Sequence, residues 1–458
     1  MTDTTVKPAS PAAARMRLML EGPIVPTLLR LAVPNLVVNV LLIAVTPSVD
    51  AHFVGRFGLD ALAGLAVVFP LMMLMQQMAN MAMGGAIAAS IARAIGAGRR
   101  EDAASLVVHA LAIAAGAAAL FSAVFLSAGP AIYGLLGGRG PMLAAALEYS
   151  NVIFAGALAY WLLGALTSVV RATGQVAILA GVYVGAEALH IALVPALVFG
   201  LGPIPSLGIT GAGLATVISF GVSTTALAWY LASGRTAVVL SLRNIRFERR
   251  LFADIPRVGG PMSLAPVLNN VALATLTSYA GMLGATSLAA FGAAVRLEYL
   301  LYPLNFALGA AVLAMVGSNV GARQFERARR IAWIAVGLSA CVMASVGVLA
   351  IAAPNAWLGL FSHDPSILAA ATGYLAIVAL AYPFVAVNTL MSAFQATRQP
   401  EWPLAAMTCR LLVVVLGGWV ALQVLQAGLV GLGVVTALGL ATWGIVQAVA
   451  FHLYARLR

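Results

Sequence analysis

Three residues in this sequence have chemistry that is out of place among their neighbours. Asp50 lies in TPSVDAHFVGRFG, Thr46 to Gly58, at the end of an apolar run that begins near Thr27 and is interrupted only by Arg30 and two asparagines. A carboxylate in hydrocarbon costs at least about 2–3 kcal/mol, so an acid at that depth is a functional hypothesis by default. It stands about six residues, or roughly 9 Å of helix, before the next polar turn, and binding a proton or Na⁺ is the role its burial suits. Glu187 and His190, in YVGAEALHIALVPALVFG, are three residues apart and share a helix face. Histidine titrates near neutral pH, which suits a proton relay; a satisfied core histidine fits the same position.

The elements that must position these groups are membrane helices. The chain is 62% hydrophobic and 9% charged over 458 residues, with a mean hydropathy of +1.01, which excludes a soluble globule. Apolar windows of spanning length fall at about 27–51, 61–86, 105–127, 143–169, 176–200, 209–233, 255–279, 287–311, 329–353, 367–393, 402–424 and 430–454. Arginines crowd the even-numbered gaps between windows, among them Arg93, Arg99, Arg171, Arg246 and Arg323, whereas the odd-numbered gaps hold only Arg56 and Arg139. The positive-inside rule then places both termini in the cytoplasm. The net charge of +11 therefore reads as topology, with the lipid bilayer and not nucleic acid as its partner. No cleaved leader is expected, and Cys341 and Cys409 imply no disulfide framework. The only lysine is Lys7, so there is no nucleotide-binding P-loop. No metal-spaced Cys/His set appears either. No catalytic residue, metal or cofactor is expected.

An internal repeat organises the windows. NMAMGGAIAASIARAIGAGRREDA from Asn80 aligns with NFALGAAVLAMVGSNVGARQFERA from Asn305 at an offset of 225, and the same offset relates Tyr149 to Tyr374. Offsets of 224 and 220 relate SVVRATGQ at Ser168 to SAFQATRQ at Ser392, and GITGAGLAT at Gly208 to GLVGLGVVT at Gly428. An even number of spans per half makes the repeat parallel, with its axis along the membrane normal. The expected fold is an all-α membrane protein of twelve transmembrane helices in two pseudo-symmetric six-helix lobes. The expected boundaries are a cytoplasmic tail over 1–22, a first lobe over 23–233, a basic linker over 234–254 and a second lobe over 255–458.

The ordered stretches EGPI, LAVPNL, VDAHFVGRFGLDALAG, IGAGRREDA, RATGQ and GITGAGLATVIS, echoed by VGGPMSLAP, LGATSLAAFGAAVRLEYL and VGARQFERA, resemble the multidrug and toxic compound extrusion (MATE) antiporters. RLEYLLYPLNFALGAA is more similar to the DinF-like branch than to the NorM-like one. The resemblance implies inner (plasma) membrane export of small organic, often cationic and aromatic compounds in exchange for H⁺ or Na⁺. It also implies that Thr216 supplies a hydroxyl near Asp50. DinF-like relatives place an Asn and an Asp on the fifth helix, where this chain has His190 and Val194. That loss of hard oxygen ligands favours a proton over Na⁺. NorM-like relatives carry a Glu eight residues after the seventh-helix proline, which here is Asn269, and an acid in the tenth helix, which here has none. Arg296 and Glu298 are the charged candidates left in the second lobe; two residues apart, they point different ways.

Substrate contacts are expected on the second window. Its methionines at 72, 73, 75, 78, 81 and 83 suit an adaptable pocket. The face shared by Gln76, Asn80 and Met83 is the choice, because amides facing lipid are costly. Tyr160 suits stacking on an aromatic or cationic ligand, and interfacial anchoring explains such a residue equally well. A monomer is expected. A lipid or lipid-linked flippase of the same superfamily is the alternative, opposed by the scarcity of embedded cations, which are Arg30, Arg296 and Arg410. An intramembrane enzyme or receptor would need a converging catalytic set, and none is visible.

Overall fold

The computed structural model describes residues 11–202, 205–234, 236, 238 and 248–454. Lys7, most of the expected linker with Arg235, Arg243 and Arg246, and the terminal Arg456 and Arg458 lie outside the described residues. The protein is all-α and membrane-spanning, with twelve helical passes. Eight helices are long and apolar enough to cross a bilayer by themselves. Two further passes are bent pairs: Gly140–Ala155 with Ala157–Ala172 at 51°, and Pro365–Ala379 with Tyr382–Ala396 at 53°. The first pass runs Ile24–Val40, through a π turn at Leu41–Val45, into Thr46–Val54. The seventh is Arg249–Met262 followed by Leu264–Met282.

Several helices outrun their apolar windows. The second pass extends over Leu59–Gly96, the third over Arg100–Leu135 and the eighth over Ala285–Gly321. Hydropathy stops a window at polar residues, but small residues let the helix continue where it packs on another helix. The run GGAIAASIARAIG at Gly84–Gly96 is buried almost throughout, and close approach through small side chains is what holds membrane helices together.

The repeat is visible in the backbone. Gly58 and Gly284 begin the second and eighth passes at φ of 105° and 102°, and Gly208 and Gly428 begin the sixth and twelfth at 58° and 59°. Gly98 and Gly174 turn at a φ of 73°, and their counterparts Arg323 and Arg398 hold the same left-handed turn at 60°. An L-residue there costs about 1–2 kcal/mol. A methyl built on Gly84 would lie 2.6 Å from Ser168 Oγ, and one on Gly309 would lie 2.8 Å from Ser392 Oγ. Gly213 abuts Tyr149 O and Gly433 abuts Tyr374 O in the same way, at 3.3 and 3.5 Å.

The two halves meet where the second and eighth passes cross. Gly96 is pressed against Ser318 O, and Gly321 against Arg93 O. Because 318 and 321 are 93 and 96 displaced by 225, this contact is reciprocal and marks the pseudo-two-fold axis. Both contacts lie at the arginine-rich end. Arg93, although read from sequence as a loop cation, is only 6% exposed there. It donates to Gln395 O at 3.2 Å, Ala396 O at 2.9 Å and Asp254 Oδ2 at 2.9 Å. Arg398 Nε reaches Asp254 Oδ1 at 2.5 Å. The Asp254 carboxylate is thus held between the Arg93 and Arg398 guanidiniums. Asn319 Nδ2 donates to Met19 O and Arg327 to Gly22 O at the same end.

Candidate ion-coupling and substrate sites

The π turn and Pro47 set the first pass so that Asp50 faces the lobe interior, where it is 2% exposed. Tyr149, from the fourth pass, donates to Asp50 Oδ2 at 2.6 Å. Thr216, from the sixth, donates to the same oxygen at 3.3 Å. His190, from the fifth, places Nε2 3.1 Å from Asp50 Oδ1 and Nδ1 3.5 Å from Glu187 Oε1. Thr46 Oγ1 lies 2.7 Å from Glu187 Oε2 and 3.2 Å from Leu41 O, inside the π turn. One hydroxyl proton serves only one of those acceptors at a time. A protonated Glu187 can itself donate to Thr46, leaving the hydroxyl free to bond Leu41 O. The three residues expected around Asp50, namely Glu187, His190 and Thr216, therefore converge on it, and their helix spacing brings the imidazole between two carboxylates.

The second lobe repeats the scaffold without the acid. Tyr374 donates to Thr436 Oγ1 at 3.1 Å, matching Tyr149 and Thr216, but Leu264–Met282 contains no carboxylate. Asn269 Oδ1 accepts from Arg410 Nη1 at 2.9 Å. Arg410, buried to 6% exposure, stacks its guanidinium 5.2 Å from the Trp443 ring centroid. Glu298 is buried, whereas Arg296 turns to the Phe361 ring at 4.8 Å. The two charges, two residues apart in sequence, thus serve different surroundings.

The MatE family model matches residues 36–196 and 261–420, one copy in each half. The chain belongs to the MATE family. As a MATE protein it is a multi-pass membrane transporter and not an enzyme. It is 27% identical over 411 residues to the FAD transporter of Shewanella oneidensis, spanning 87% of this chain and 88% of that one. It is 30% identical over 246 residues to the probable multidrug resistance protein NorM of Deinococcus radiodurans, spanning 52% and 53%. A MATE crystal structure in the bent conformation superposes with a TM-score of 0.89 at 24% identity, covering 96% of this chain and 97% of the other. At that identity the likeness establishes the fold.

The remaining expected contacts of this MATE protein fall into two groups. Gln76 is buried, and Asn80 Nδ2 donates to Tyr160 Oη at 2.7 Å and to Gln76 O at 3.3 Å. Tyr160 meets Phe220 edge-on at 5.0 Å, so it is an interior residue of the first lobe and not an interfacial anchor. Met83 stands apart: a methyl on Gly259 would lie 2.7 Å from its sulfur, which seats Met83 at the contact between halves. Tyr149, Thr46 and Arg410 were not assigned from sequence. The repeat of Tyr149 as Tyr374, and a lone arginine in an apolar window, were the available signals.

Proposed function

We propose that this MATE protein is a proton-driven antiporter exporting small organic compounds across the inner membrane, acting as a monomer with both termini in the cytoplasm. The observation that carries the coupling ion is the position of His190 between Asp50 and Glu187. With both acids ionised and the imidazole protonated, the buried cluster holds one net negative charge, which one proton neutralises. Na⁺ instead needs several hard oxygen ligands, and an imidazolium facing Asp50 repels it. Neutralisation changes the hydrogen bonds that tie the first pass to its neighbours, from Tyr149 and Thr216 to Asp50 and from Thr46 to Glu187. An ion shifts an alternating-access equilibrium only through such differential interaction with its two states. The shared hydroxyl of Thr46 supplies one, since it bonds either Glu187 or the π turn.

The family's exported compounds and the shared interior of Gln76, Asn80 and Tyr160 support an organic substrate. The names of similar proteins, a FAD transporter and several multidrug resistance proteins, support a broad range of them. The test is transport in proteoliposomes under a pH jump at constant Na⁺, and under a Na⁺ jump at constant pH. Uptake driven by the pH jump alone is expected. Uptake driven only by Na⁺ rejects the proton assignment.

A further inference from the structure

Arg410 is a buried cation with no direct ion pair among the described residues. Among the described residues no carboxylate lies within ion-pair distance of it: it bonds the neutral amide of Asn269 and stacks on Trp443, with the Tyr302 hydroxyl beside it and the buried Glu298 acting on it from beyond contact. Buried charges are ordinarily paired, because an unpaired one costs several kcal/mol or more. The lobe nevertheless builds a seat for this side chain. A methyl on Gly439 would lie 3.5 Å from Arg410 Cγ, so glycine there leaves room for the stem. Trp443, one turn further along the same helix, supports the guanidinium.

Around that seat are polar atoms that are buried and unpartnered: Arg410 Nε, Trp443 Nε1, Tyr382 Oη and Glu298 Oε1. Three of the four are able to donate. Native interiors satisfy nearly all such groups, so a cluster of exceptions points to a ligand. Donors in a fixed fork beside indole and phenol rings are complementary to a compact oxyanion on an aromatic body.

We infer that the second lobe binds the oxyanion of an aromatic organic acid or phosphate ester at Arg410, held in place by Asn269. This rests on the export reading above and narrows its substrate class. Glu298 is the repulsive element of the site: when ionised, its carboxylate opposes the incoming anion.

The test is calorimetric binding to purified full-length protein, with no ion gradient, of two probes that share a ring and differ in charge, 1-naphthyl phosphate and 1-naphthylmethylammonium. The phosphate should bind at least about tenfold more tightly than the ammonium. Arg410→Gln should weaken phosphate binding at least about tenfold, and Arg410→Lys should give an intermediate value, since an ammonium cannot present the fork. Glu298→Gln, which leaves the arginine in place, should tighten it several-fold and keeps the inference testable if Arg410→Gln does not fold. Equal or preferential binding of the ammonium, no binding of either probe, or unchanged affinity in both variants overturns the inference. Nanodiscs distinguish a soluble ester from a lipid headgroup: binding that persists in phosphatidylcholine but vanishes in phosphatidylglycerol overturns assignment to a soluble substrate. Loss of proton-driven transport with this binding intact would reject the coupling reading alone.

Discussion

Asp50 has both oxygens engaged, by His190 on one and by Tyr149 and Thr216 on the other. Asp50→Asn keeps that shape but has no proton to exchange. It should reduce pH-driven transport at least about tenfold at matched expression, while the exposed acid Asp60 at the start of the second pass, changed to Asn, should leave transport near wild type. Uptake assays on the two variants check this, and full activity of Asp50→Asn would make the carboxylate structural. The hydroxyl of Thr46 supplies a second prediction. If it reports the state of Glu187 to the π turn, Thr46→Val and Glu187→Gln each slow transport, but the double variant should be no slower than Glu187→Gln. Additive losses, as independent sites give, would separate the two residues.

The helix ends around Asp254 form a latch that joins the halves. Arg93 caps the C-terminal carbonyls of Thr389–Ala396, where a cation is favoured. Asp254 holds it there, together with Arg398, in the left-handed turn that glycine occupies in the first half. Removing one partner of a buried pair costs about 3–5 kcal/mol. Asp254→Asn should therefore shift the molecule away from the state closed at this end. Spin labels at Glu101 and Glu326, related by the 225-residue repeat, should show longer distances in pulsed electron resonance; an unchanged distribution would reject the latch.

At the scale of the two lobes, the reciprocal glycine contacts close one end of the molecule, and that end holds the arginines. In the orientation proposed above, which follows the positive-inside rule, that end faces the cytoplasm. Cysteines placed near Gly58, Arg139 and Ser206 should react with an impermeant maleimide in intact cells, and ones near Arg99 and Arg323 only after permeabilisation. Reaction of Arg99 or Arg323 positions from outside would invert the orientation and, with it, the direction of transport.

Spans, repeat and the candidate acid were legible from sequence because each rests on a local property. Hydropathy marks a window, an offset of 225 relates Asn80 to Asn305, and a carboxylate in an apolar run announces itself wherever it sits. The fifth-helix pair was legible for the same reason, since residues three apart share a face. What joins to Asp50 was decided by packing. Tyr149 comes from another helix, Thr46 reaches across from the helix of Asp50 to Glu187, and nothing in their own neighbourhoods distinguishes a tyrosine that donates to an acid from one that anchors at an interface. The lengths of the second and eighth passes were likewise tertiary: glycine and alanine score as weak membrane residues, yet they extend these helices because each can approach the other closely. Arg93 and Arg171 counted as loop charges in the sequence and are buried in the fold, at 6% and 9% exposure. A long stem lets arginine start at a helix end and finish among carbonyls of another helix. The partners that make such a cation affordable lie 302 residues away along the chain for Arg93 and Gln395, a distance that no local pattern spans.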